Sequence, residues 1–279
     1  MEAVYMKRLG IAVLCAALLC LSAVLAGCSS GDTYKPELKE STLSSSALGE
    51  EGVLRVGVNT SNPPLAGQTT DIVGIDVDVA ASIADELGLK LQVVDVKNDA
   101  ADALEKGEID IAMGIESSNE DKVWRSENYL TTGVALFSTK SDADVPKKGD
   151  DDLKIAAQGS SMSAYAVTNQ FGKKALSSSA DLQSAFNELS AGDVSFVAAD
   201  AIIGSYAAYT SGMSVNIIAM AQKPTGYVIA CSKKNDDLQS AISSTLETLQ
   251  KGGVIGAIEK RWLGTSLNVS ELPLTADAE

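Results

Sequence analysis

Gly107-Glu108-Ile109-Asp110-Ile111-Ala112 and Gly192-Asp193-Val194-Ser195-Phe196-Val197 decide how this chain is built. In each, a glycine ends a helical pattern and a strand of alternating character follows at once. Upstream of the first copy, Leu54-Arg55-Val56-Gly57-Val58 reads as a strand. Apolar residues at 79, 80, 83, 84 and 87 place a helix over 76–87, which Gly88 ends. A second strand at 89–94, a short helix at 99–106 and a third strand at 109–113 follow. Around the second copy the same grammar gives a strand at 153–157 and helices at 161–169, 181–191 and 201–209. Helices alternating with short strands argue for parallel β-α-β units. Two such units, joined by a charged, loop-like stretch at 139–152, predict an α/β protein of two lobes with a cleft between them. After Lys223-Pro224 the chain returns to the first lobe with a strand at 226–232 and helices at 236–251 and 253–263. Lobe 1 is therefore expected at 51–138 plus 225–279, its last part a short acidic tail, and lobe 2 at 139–224.

Composition narrows the chemistry. The 279 residues hold 22 Lys+Arg, 37 Asp+Glu and no His, a net charge of -15, with 45% hydrophobic residues to fill a core. An acidic chain repels phosphate backbones, so nucleic acid is not an expected partner. Missing His removes the commonest acid–base residue and metal ligand, which disfavours Ser-His-Asp, Cys-His and zinc chemistries. The sequence holds no glycine-rich phosphate fingerprint, Cys cluster or metal-spaced acidic motif, so no cofactor and no metal are expected. The balance leans toward binding rather than catalysis, and a monomer is expected.

The beginning reads as an address. Lys7 and Arg8 precede an uncharged run from Leu9 to Ala26, the pattern of a secretory signal and close to the length of a membrane span. Its end, Leu25-Ala26-Gly27-Cys28, resembles the bacterial lipobox and favours cleavage over an uncleaved anchor. The expectation is a signal peptide at 1–27, a diacylglyceryl group on Cys28 that holds the protein at the membrane, and a Ser-rich flexible tether at 28–50 with a reach of about 25 Å. The domain is then extracytoplasmic. Cys15 and Cys20 leave with the signal, and Cys231, in the apolar run 227–231, reads as a core thiol.

Four segments lie at predicted strand ends, where facing α/β lobes place their ligands. They are the stretch around Asn59 and Asn62 to Leu65, the stretch from Gly114 through Glu116 and Ser117, the turn Gln158-Gly159-Ser160-Ser161, and Ala199-Asp200-Ala201. Ser160 and Ser161 stand at a helix N-terminus, which attracts an anion such as a carboxylate and which a serine equally serves as an ordinary cap. Asp200 offers a carboxylate to an ammonium, or a cap to the helix at 201–209. Asp76 and Asp78 read as helix-start acids rather than paired catalytic carboxylates, and Trp124 and Trp262 as core residues, the latter anchoring a terminal helix.

Taken in order, 54–58, Asn62-Pro63-Pro64-Leu65, Gly74-Ile75-Asp76-Val77-Asp78, 103–110, Ser126-Glu127-Asn128-Tyr129, 158–161, Asp200, 226–230 and 259–264 resemble family 3 extracellular solute-binding proteins. These are the polar-amino-acid receptors of ABC importers. The resemblance implies a type II periplasmic-binding-protein fold that closes on a small ligand and delivers it to a membrane permease. It also implies that Ser160 and Ser161 hold an α-carboxylate, Asp200 an α-ammonium, Asn59 and Asn62 the side-chain pocket, and 114–117 the lobe-1 contacts. This chain departs from the family at Asn62 and Leu65, where aromatic residues are usual, and in having no Arg in register after the third strand. Lys122 or Arg125 are the substitutes at hand, and Arg125 reads equally as a surface charge. Two other readings stand beside the receptor: a cyclohexadienyl dehydratase-like enzyme with Glu116 as its acid, and an interaction lipoprotein with a degenerate cleft.

Overall fold

The computed structural model describes residues 39–41, 43–116 and 122–276. The signal peptide, Cys28, the start of the tether and Ser117 lie outside them.

The first lobe is built on β1 (Val53–Val58), whose two neighbours are both parallel to it: β5 (Lys90–Asp95) on one side and β6 (Ile111–Glu116) on the other. α1 (Ile75–Glu86) and α2 (Ala100–Glu105) make the crossovers that parallel pairing requires. β14 (Thr225–Cys231) runs antiparallel on the far side of β6 and carries β7 (Trp124–Arg125) and β8 (Leu130–Thr132). A small sheet of β2 (Ser61–Asn62), β3 (Ala66–Gln68) and β4 (Ile72–Val73) is inserted between β1 and α1.

The second sheet has the order β11 (Leu176–Ser179), β10 (Ile155–Gln158), β12 (Phe196–Asp200), β9 (Val134–Ser138), β13 (Asn216–Met220). α3 (Met162–Phe171), α4 (Leu182–Ala191) and α5 (Ala201–Thr210) accompany it. Both its faces are covered, so alternate residues of one strand serve different cores. Val134 and Leu136 of β9 pack with Ile155, Val167 and Ala198, while Ala135 and Phe137 pack with Phe186 and Val197. The last helices, α6 (Asp236–Lys251) and α7 (Val254–Leu263), return to α1 in the first lobe. The echoing glycines share one job: Gly107 (φ 68°) and Gly192 (φ 81°) hold left-handed backbone just beyond α2 and α4 and turn the chain toward a strand.

The structure departs from the expected layout in three places. Val134–Ser138, expected in lobe 1, is a central strand of the second sheet, so the chain crosses at Gly133 rather than at the charged loop. The expected flexible tether at 28–50 ends earlier, because residues from Lys39 onward are docked. Leu43 and Leu48 pack on the first core, Lys39 pairs with Asp85 at 3.3 Å, and Asn235 Nδ2 donates to Ala47 O at 2.8 Å. Three apolar residues among the serines are enough to seat this strap. The tail, expected in lobe 1, reaches the second lobe: Val269 is 1% exposed in its core, and Met220 exchanges backbone hydrogen bonds with Pro273 and Thr275, both 2.9 Å. It is a third crossing, beside Gly133 and the β13–β14 connection.

Cys231 is fully buried in the first core, where burial pushes its thiol up to about 12. Trp262 does anchor the terminal helix, its Nε1 donating to Asp78 Oδ2 at 2.7 Å. No helix among the described residues is long and apolar enough to cross a membrane.

Candidate functional site

Two inner strands, one in each lobe, end in acids. β6 ends at Glu116 and β12 at Asp200. Asp200 serves the cap foreseen for it: Oδ1 accepts the N–H of Ile202 at 2.9 Å and of Ile203 at 3.0 Å. Its Oδ2 accepts the hydroxyl of Thr132, at the end of β8 in the other lobe, at 2.6 Å. That leaves an Oδ2 lone pair for another donor. Burial pushes the Asp200 carboxyl above its ordinary value, the hydrogen bonds from Thr132, Ile203 and Ile202 pull it back, and the Glu116 charge raises it again. Tyr227 lies opposite Glu116 in the β6–β14 register. Its hydroxyl is raised first by burial, then by the charges of Asp200, Glu116 and Asp76. The charges of Asp200, Glu116 and Asp76, on β12, β6 and α1, thus all act on this one tyrosine.

Asp76 was expected at a helix start as a capping acid. It sits in the first turn of α1, but the N-cap is Gly74 and no side chain caps the helix. Instead Asp76 is 1% exposed, and Tyr129 Oη donates to its Oδ1 at 2.5 Å. The same Tyr129 oxygen accepts Gly114 N–H at 2.9 Å. Burial raises the Asp76 carboxyl to about 7, with the Tyr129 hydrogen bond acting in the opposite sense. The sequence carried a signal for this: Asp76 lies three and four residues before Val79 and Ala80, on the buried stripe of the helix. Asp78 turns the other way, to Trp262 and, at 3.3 Å, to Arg261.

The remaining candidates fall in different settings. Ser161 caps α3, its Oγ accepting Ala164 N–H at 3.1 Å, while Ser160 is exposed with φ 60°. A Cβ at Gly159 would lie 2.8 Å from Ser178 Oγ, so a larger residue there would make that hydroxyl shift. Asn59 and Asn62 are partly exposed at the end of β1 and in β2, Asn59 donating to Asn98 Oδ1 at 3.0 Å. Leu65 is 3% exposed and packs in the first core. Arg125 is half-buried in β7 opposite Ala230, about 10 Å along β14 from the row that pairs Tyr227 with Glu116. Lys122 lines a surface groove with Asp102, Glu105, Lys233 and Lys234, apart from Asp200. Sequence reasoning missed Tyr129, Thr132 and Tyr227 as site components, although the first and last lie in the quoted motifs.

A two-lobed α/β frame with strand-end acids converging between the sheets is the form of a small-solute receptor. This chain belongs to the bacterial extracellular solute-binding proteins, family 3, whose pattern matches residues 54–265. The L-cystine-binding protein TcyA of Bacillus subtilis (strain 168) is 23% identical over 261 residues, 88% of this chain and 94% of that one. The solved structure of an ancestral cationic amino acid solute-binding protein, AncCDT-1, aligns at 25% identity with a TM-score of 0.61, covering 76% of this chain and 96% of that one. The L-cystine solute receptor of Neisseria gonorrhoeae, in its unliganded open conformation, has the same fold at 20% identity and a TM-score of 0.63, over 78% of this chain and 94% of that one. The expected type II periplasmic-binding-protein architecture, and the extracytoplasmic family it serves, are those of this chain.

Proposed function

We propose that this protein is the extracytoplasmic substrate-binding lipoprotein of an ABC importer, which captures a small polar solute, most simply an amino acid, by lobe closure and hands it to a permease. The observation that carries the reading is Asp200: a carboxylate at the end of β12, bonded to Thr132 of the other lobe and to the start of α5, with one lone pair left. Such a group receives an ammonium. The N-terminus of α3, with Ser160 exposed beside it, is the proposed seat of the solute's carboxylate. Asn59 and Asn62 contribute polar groups for the side chain, and Glu116 with Ser117 the remaining lobe-1 contacts. Arg125 is reserved as the replacement for the family's carboxylate-binding Arg. L-cystine heads the ligand panel, because TcyA is named for binding it.

Cys28 is proposed as the lipidated residue and 1–27 as the cleaved signal. The stretch from Cys28 to the docked Lys39 spans at most about 40 Å when fully extended. Lobe 1 is then held within that distance of the membrane. Cys28→Ser should release the protein from the membrane fraction, and its continued retention there would count against lipidation.

Thermal unfolding against L-cystine and a panel of polar and cationic amino acids tests the receptor. A true ligand at about 100 times its Kd stabilises by roughly 2.7 kcal/mol, and Asp200→Ala should reduce the response at the same ligand concentration. A panel without any shift overturns the reading, and product formation from prephenate or arogenate would replace it with the dehydratase.

A further inference from the structure

We propose that Asp76 and Tyr129 are positioning residues that set the backbone at the carboxyl end of β6, and that the proton state of Asp76 is read out at Gly114. The three groups form a closed chain inside the first lobe. Tyr129, 2% exposed, donates to Asp76 and accepts from Gly114 through a single oxygen. Gly114 has φ 68°, and a Cβ there would stand 2.7 Å from Asp76 Oδ2, so the carboxylate lies directly against the glycine. Gly114 is two residues from Glu116, and the intervening backbone is the strand that faces the proposed solute.

The charged and titratable surroundings leave this chain to itself. Tyr227 faces Asp76 from β14, and Glu116 and Asp200 act on Tyr227 in turn. On α1, Asp78 is held by Trp262 and Arg261 of α7, and Glu259 of α7 accepts Leu267 N–H at 3.2 Å. Arg55 of β1 is paired with Asp110, and Asp95 of β5 accepts the Thr60 hydroxyl at 2.8 Å. No cation among these neighbours compensates the Asp76 charge.

The direction of the hydrogen bonds then decides what a proton does. Ionised Asp76 only accepts, so Tyr129 donates to it and keeps its oxygen lone pairs for Gly114 N–H. A protonated Asp76 brings a second O–H into the pair. Donation from Asp76 to Tyr129 Oη competes with Gly114 for the same oxygen, and the Gly114 bond weakens. Because burial holds the carboxyl at about 7, the exchange falls near neutral pH. The proposal rests on the receptor reading only in giving the Gly114–Glu116 strand a solute to meet; the relay itself exists without one.

Nitrogen-15 NMR of the ligand-free protein tests it. The Gly114 amide shift should follow one inflection near pH 7 between pH 5 and pH 9. Asp76→Asn, which keeps an acceptor for Tyr129 and cannot ionise, should flatten that curve, and Tyr129→Phe should uncouple Gly114 from it. A flat Gly114 amide in the unsubstituted protein overturns the proposal, as does an inflection that survives in Asp76→Asn. If Tyr129→Phe fails to fold, those two measurements still decide. A ligand panel without response would sink the receptor while leaving this titration intact.

Discussion

Asp76→Asn should stabilise the protein by an amount that grows with pH. Asp76 is 1% exposed, accepts the Tyr129 hydroxyl, and has its carboxyl raised from 3.8 to about 7 by burial. A carboxyl that holds its proton more tightly in the fold than in the unfolded chain makes stability fall as pH rises between those two values. The contribution is most favourable below about pH 4, declines through the window up to about pH 7, and is flat above it. The distance between 3.8 and about 7 corresponds to a loss of about 4 kcal/mol, an order-of-magnitude figure, of which about 2.5 kcal/mol falls between pH 5 and pH 8. Asn retains an oxygen for Tyr129 and has no charge to bury. For a chain of this size 1 kcal/mol moves the unfolding midpoint by roughly 2–4 °C. The midpoint of Asp76→Asn minus that of the unsubstituted protein should therefore rise by about 5–10 °C from pH 5 to pH 8. Thermal unfolding of both proteins across that range is the assay. Taking the difference cancels other groups that titrate on folding, among them Asp200 and Glu259, both raised by burial. A difference that stays constant, or that widens toward acid, refutes the burial argument.

Asp110→Ala should destabilise by about 3–5 kcal/mol, because it strands a partly buried guanidinium. Asp110 accepts Arg55 Nη2 at 2.8 Å and Nε at 3.1 Å, and also Gly49 N–H at 2.9 Å, so faster exchange of the Gly49 amide should accompany the lower denaturation midpoint. Gly114→Ala forces a side chain into left-handed backbone and against Asp76, and should lower stability by about 1–3 kcal/mol; an unchanged midpoint would refute the clash. Truncation after Gly264 removes the third crossing, including buried Val269, whose side chain alone contributes about 1.5 kcal/mol or more. The expected result is a lower midpoint in calorimetry, and no change would show the tail to be dispensable.

The helices and parallel strands were legible because their signals are local: apolar stripes, glycine stops and alternation over a few residues. The strands that escaped are those whose partners are distant. Val134-Ala135-Leu136-Phe137-Ser138 is buried throughout, lies antiparallel between β12 and β13, and has no alternation to announce a face. The charged stretch after it looked like a boundary, yet lobes change where the backbone crosses between sheets. The strap escaped for a compositional reason, since six serines in the tether outweighed Leu43, Ala47 and Leu48 in the average. Glu116 and Asp200 could be singled out because an acid after an apolar strand stands out. Tyr129 and Asp76 meet only once β6, α1 and the loop before β8 are packed together.

If the lobes close as proposed, strand order also sets which parts of the proposed site move most. β14 and β9 lie beside the crossings; β6 and β12 come next, then β1 and β10. Neighbouring strands lie about 4.8 Å apart, so rotation about the crossings displaces the ends of β1 and β10 more than those of β6 and β12. Glu116 and Asp200 are the inner pair. Asp200 in particular is tied to Thr132 at one crossing and, through β12, to Val134 just beyond it. Asn59 on one side and Ser160 with Ser161 on the other are the outer set. In the proposed receptor the inner acids would hold an ammonium in open and closed forms alike. A ligand drives closure only through contacts that differ between the two forms, and those belong to the outer set. Asp200→Ala should then weaken binding without abolishing closure, whereas a solute lacking the group that reaches α3 should bind and leave the lobes open.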